Sequence, residues 1–115
     1  MIDELGDPLW RFVQDHVTSF AKWDLLVYFA ARPSEACTLP ALSGHLARNG
    51  MELGEAIADL TERGVLEPCV ADGEDAYRLT SDADVRDLVG RFVEATRSRE
   101  ARLQFLTHLL RAGAQ

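Results

Sequence analysis

The sequence predicts a mostly α-helical domain that carries one small β-hairpin. Three observations lead there. Between Thr38 and Thr80, two short amphipathic segments are followed by two extended runs around an acidic turn, Asp72-Gly73-Glu74-Asp75. Ahead of them, residues 20–31 are apolar on nearly every side, as suits a helix at a domain centre. Behind them, apolar residues recur at helical spacing over residues 82 to about 111. A chain of 115 residues supports one core rather than two, so residues 1–115 read as a single domain. Its centre is expected over 18–80, with flanking helices over 8–17 and 82–111.

Asp7 before Pro8 has the form of an N-cap with proline in the first helical turn. Leu9, Phe12, Val13, His16 and Val17 then mark an apolar stripe that includes or borders Trp10. Thr18 and Ser19 offer the cap of the second helix, whose Trp23, Leu25, Leu26, Val27, Phe29 and Ala30 wrap most of its circumference; Pro33 ends it. Residues 35–38 form a brief extended segment. Thr38 caps a third helix with Leu42, Leu46 and Ala47 inward, and Asn49-Gly50 closes it with residues that tolerate positive φ. A fourth helix spans residues 52–63, with Gly64 just past its end. Leu53, Ala56, Ile57 and Leu60 share one arc at about 100° per residue, which leaves Glu55, Ala58, Asp59 and Glu62 facing outward.

Residues 65–71 and 76–79 are strand candidates, and Pro68, which has no amide proton, must sit where its strand needs none. Ser81, three residues before Asp84, resembles a helix start. The long C-terminal helix expected from there has two apolar stretches separated by TRSREAR at 96–102, either an exposed middle turn or a break into two helices. Its distal leucines exceed what so small a domain needs. Leu9, Phe12, Phe92, Leu103, Leu106 and Leu110 are therefore candidates for a homodimer contact, the alternative being an intrachain pair with the first helix.

Charge is unevenly spread along a chain of net charge -7. Residues 51–90 hold 11 acidic side chains against Arg63, Arg78 and Arg86, a local net of -8. Residues 91–115 hold five arginines against Glu94 and Glu100, a local net of +3. Phosphate backbones draw affinity mainly from positive charge, so the acidic centre lowers the expectation of DNA binding. Cys37 and Cys69 are too few for a secreted disulfide framework; a reducing, cytoplasmic setting is expected, with the two cysteines as buried hydrophobes on neighbouring segments. The longest apolar run, residues 25–31, is far too short to span a bilayer, and Asp3, Glu4 and Asp7 stand where a signal peptide would be basic.

LTERGVLEP at 60–68, followed by Tyr77-Arg78-Leu79-Thr80, resembles the second half of the helix-turn-helix and the wing of bacterial winged-helix regulators of the MarR and PadR kinds. The resemblance covers about residues 20–80. It implies a winged helix-turn-helix with an extra N-terminal helix and a long C-terminal helix, acting as a homodimer. The fourth helix would enter the major groove and the hairpin would touch the backbone or minor groove. The groove-facing positions are then Glu55, Ala58, Asp59 and Glu62, and the wing positions are 72–75 with Arg78.

Two functional classes follow. A DNA-binding transcriptional regulator of this kind would rely on Arg48, Arg78 and Lys22 to hold double-stranded DNA. A protein–protein interaction module would instead present Glu55, Asp59, Glu62, Asp72, Glu74 and Asp75 to a basic partner. Catalysis is not expected. His16, His45 and His108 have no metal-ligand spacing, Gly44 and Gly54 are isolated rather than a phosphate cradle, and Ser43 and His45 diverge on a helix, so no cofactor or metal is anticipated. Trp10, Trp23, Phe92 and Phe105 read as core, or as the lining of a hydrophobic ligand cleft.

Overall fold

A computed structural model describes residues 7–113. Among these, six helices and one antiparallel hairpin follow in the order α1 (Asp7–His16), α2 (Phe20–Ala31), α3 (Leu39–Leu46), α4 (Gly50–Glu62), β1 (Leu66–Ala71), β2 (Glu74–Leu79), α5 (Ala83–Ala95) and α6 (Arg99–Arg111). The protein is thus mostly helical with a two-stranded hairpin. None of the described helices is long and apolar enough to cross a membrane. The capping role expected of the Asp7 side chain lies outside what is described.

Helix α2 is central, as its all-round apolar sequence requires. Ala21, Leu25, Leu26 and Phe29 are fully buried, and the helix packs against α4 on one side and α5 on another. Ser19 caps it by accepting from the Lys22 amide at 3.2 Å. Helix α4 turns Leu53, Ala56, Ile57 and Leu60 into the core, the arc expected from their spacing.

Asn49 acts differently from expectation. Helix α3 ends earlier, at Ala47, which takes the left-handed conformation with φ 53°. The Asn49 side chain instead opens α4, accepting from the Met51 and Glu52 amides at 2.7 and 3.3 Å. An amide oxygen that satisfies two orphan donors is more use at a helix start than at the preceding stop.

The hairpin closes more tightly than the four-residue turn expected. Ala71 pairs with Glu74, leaving Asp72 and Gly73 as a two-residue turn with φ 54° and 81°, a left-handed pair that Asp-Gly supplies readily. Pro68 faces Tyr77, and Tyr77 exchanges both of its backbone hydrogen bonds, at 2.9 Å each, with Cys37 on its other side. The Pro68–Tyr77 pair is therefore one that needs no amide proton from β1. The same register places Cys37 and Cys69 on opposite faces of the small sheet, since Cys37 aligns with Pro68 across Tyr77 and Cys69 is one residue on. Both are free thiols, and Cys37 accepts a hydrogen bond from the Tyr28 hydroxyl at 3.6 Å.

The C-terminal helical stretch is two helices, so of the two arrangements open for residues 96–102 the break is the one found. Arg97 and Ser98 donate back three residues, to Glu94 and Ala95, and the Thr96 hydroxyl donates to the Val93 carbonyl, so α5 closes in a tight turn. Ser98 then caps α6 by accepting from the Ala101 amide at 3.3 Å. Asp82 rather than Ser81 caps α5, accepting from Asp84 and Val85. The break lets α6 fold back over the domain. Phe105 sits 6.3 Å from Trp10, 5.9 Å from Trp23 and 5.1 Å from Phe92 between ring centroids, and a ring nitrogen of His108 lies 3.0 Å from the Val17 carbonyl. The four aromatics proposed for core or ligand cleft form one packed cluster, with Trp10 alone also lining an open groove.

Candidate interaction face on α4 and the hairpin

Each cation put forward for DNA is already held by carboxylate. Lys22 is 8% exposed; its ammonium donates to Thr18 Oγ1 at 2.7 Å and to Asp59 Oδ2, which also accepts from Arg63 Nε at 3.0 Å. Lys22 is thus an internal tie between α2 and α4, which corrects its place among surface contacts. Arg48 donates to Asp24 at 2.6 Å and lies 3.4 Å from Glu52, so the turn before α4 is bolted to α2. The hydrogen bond from Arg48 to Asp24 raises the Arg48 pKa further above its ordinary value. Arg78 lies opposite Glu67 in the hairpin ladder and donates to it at 3.2 Å.

Two sorts of carboxylate occur on α4 and the hairpin. Asp59 belongs to the framework, and its pKa lies below the usual carboxylate range chiefly because Lys22 donates to it. Glu55 and Glu62 on α4, with Asp72, Glu74 and Asp75 on the hairpin, are exposed and form no ion pair among the described residues. The interaction candidates therefore divide: Asp59 is occupied, and the other five carry free negative charge.

Sequence reasoning passed over Glu67. It accepts from the Ser81 amide and hydroxyl at 2.8 Å each, from the Thr80 hydroxyl at 3.3 Å and from Arg78, tying the hairpin base to the start of α5. The backbone amide of Ser81 is the main reason its pKa falls to about 2. The turn expected over residues 72–75 would set Glu67 opposite Thr80, so neither its opposition to Arg78 nor the Ser81 contact was legible. A carboxyl whose folded pKa is depressed favours the folded state above its unfolded pKa of about 4.3. That contribution is lost as pH falls towards 2. E67Q is accordingly expected to unfold at lower urea than wild type at pH 7, with the gap closing towards pH 2 in a urea titration series. A constant gap across that range would remove this role.

The dimer candidates also divide. Leu9, Phe12 and Phe92 are buried within the protomer, filling the space between α1, α2 and α5, so they are not available to a second chain. Leu103 and Leu110 are 53% and 69% exposed and Leu106 is half-buried. Beside them an open groove of about 460 Å³ runs between α1 and α6, floored by Trp10 and bounded by Gln14, Leu103, Thr107 and Arg111. His16 lies half-buried against Phe12, and burial pushes its pKa down.

Compared with known proteins, the chain matches no family model, no curated protein and no solved structure.

Proposed function

We propose that this chain is a winged-helix protein whose α4 and hairpin face binds a basic protein partner instead of reading DNA. The observation that carries this is the division of charge just described. Lys22, Arg48 and Arg78 are neutralised within the fold, whereas Glu55, Glu62, Asp72, Glu74 and Asp75 face solvent without a cation. Two phosphate strands approaching such a surface meet like charge at close range, and freeing Arg48 or Arg78 would require breaking an existing ion pair. Against a basic surface the same carboxylates speed encounter and select the partner.

The order of elements, three helices then a hairpin, is what favours the DNA-binding regulator as a second reading. The two are separated by a pair of measurements. On random duplex at about 50 mM salt, where electrostatic affinity is greatest, wild-type protein is expected to give no shift. On lysate capture, E55K/E62K is expected to lose the partner that wild type retains, while Asp59 keeps its tie to Lys22. A duplex shift by wild type, or equal capture by both proteins, would overturn the proposal.

A further inference from the structure

We infer that a partner of the acid-tipped hairpin is a second copy of this chain, which, although its net charge is -7, receives the hairpin in the arginine-edged α1–α6 groove. The inference rests on the reading of the hairpin side as a protein-contact face.

Opposite character is built on different elements of the same molecule. On α6, Arg99, Leu103, Leu106 and Leu110 recur at i, i+4, i+7 and i+11, one row down the helix, while Phe105 and Leu109 point into the core. Arg99, Arg102 and Arg111 have no carboxylate partner among the described residues. Leu103 and Arg111 line the groove floored by Trp10, which thus has an apolar wall and a basic edge, with half-buried Leu106 and exposed Leu110 beside Leu103 on the outer side of α6. On the hairpin, Val70 is 71% exposed and pairs across the ladder with Asp75, so both side chains stand on the same face just below Asp72. An exposed valine ringed by acids complements an apolar groove edged by Arg111: Val70 meets Trp10 and Leu103, and the acids meet Arg111.

Two alternatives fit less well. A two-fold contact of α6 on α6 would bring the arginines of both copies together. Strand addition to the outer edge of β1 is opposed by Pro68, which offers that edge no amide proton. The hairpin-to-groove contact is heterologous, each copy using one face and leaving the other free, so association continues in a chain or closes in a ring.

The test is sedimentation velocity on the whole chain from about 10 µM to about 1 mM, at about 50 mM and about 500 mM salt. Wild type is expected to self-associate with rising concentration and to dissociate in high salt. V70S/D75K, altered in the hairpin, and L103E/R111E, altered in the groove, should each associate at least about tenfold more weakly. Mixed, they should restore a single contact, intact hairpin into intact groove, and stop at a one-to-one pair. Circular dichroism of each variant should match wild type; V70S and L103E alone, expected to act in the same direction, give a second reading if a double variant does not fold. A mixture that stays monomeric while wild type associates, or self-association untouched by the hairpin change, overturns the inference. Wild type that stays monomeric at the highest concentration, yet captures a basic protein through Glu55 and Glu62, also overturns it and leaves the proposed function standing.

Discussion

Phe105→Ala is expected to lower the unfolding free energy by about 3–5 kcal/mol, the range for deleting a buried aromatic side chain. Against a typical total of about 5–15 kcal/mol this is among the largest losses a single change can cause here. Phe105 has no accessible surface and touches three aromatic rings, one on each of α1, α2 and α5, so its removal opens a void at the point where α6 is pinned to the domain. The chain has two tryptophans, Trp10 and Trp23, and both pack on this ring. Tryptophan fluorescence should therefore respond as well as the urea midpoint. Leu103→Ala, on the exposed side of the same helix, should change stability by no more than about 0.5 kcal/mol. Equal effects from the two changes would mean that α6 is not held in this way.

Asp59→Ala is expected to cost about 2–3 kcal/mol, because it leaves the Lys22 ammonium enclosed with only the Thr18 hydroxyl to answer it. The figure is set below the full range for a buried pair because the Asp59 side chain is 34% accessible and water screens part of the interaction. Removing both charges, as in K22M/D59L, should return stability to within about 1 kcal/mol of wild type, since an apolar pair carries no desolvation penalty. The pH dependence has a definite sign. Lys22 holds the Asp59 pKa below its unfolded value of about 3.9, so the pair stabilises the fold above that pH and ceases to do so as pH falls through the folded value. Urea unfolding at pH 7 and at pH 3 should therefore show a smaller loss on acidification for Asp59→Ala than for wild type. A double variant as unstable as Asp59→Ala would show that packing rather than an orphaned charge sets the cost.

How far the amino-acid order alone reaches can be judged at particular residues. The inward arc of α4, the apolar wrap of α2, the place of the hairpin turn though not its two-residue length, and the Thr38 and Ser19 caps were legible, because each depends on periodicity or on chemistry within four residues. The free acids at Glu55, Glu62 and the hairpin tip were legible too, since outward positions on an amphipathic rod follow from the inward ones. Lys22 shows the limit. Nothing near it in the chain indicates Asp59, which lies 37 positions on, and a lysine beside a helix cap reads as surface until α2 and α4 are packed together. Arg48 with Asp24 and Glu67 with Ser81 are pairings of the same kind.

The amino-acid order by itself determined which segments are helical, which two pair as a hairpin, and which sides of them are apolar or acidic, because those properties follow from local propensity and the repeat of apolar residues. Only the tertiary structure decided which charges are consumed and which are free, and where the C-terminal segment turns back. Both involve contacts between residues far apart in the chain: a salt bridge needs two distant helices docked in one orientation, and the turn at Thr96–Ser98 brings Phe105 against aromatic rings on three other helices.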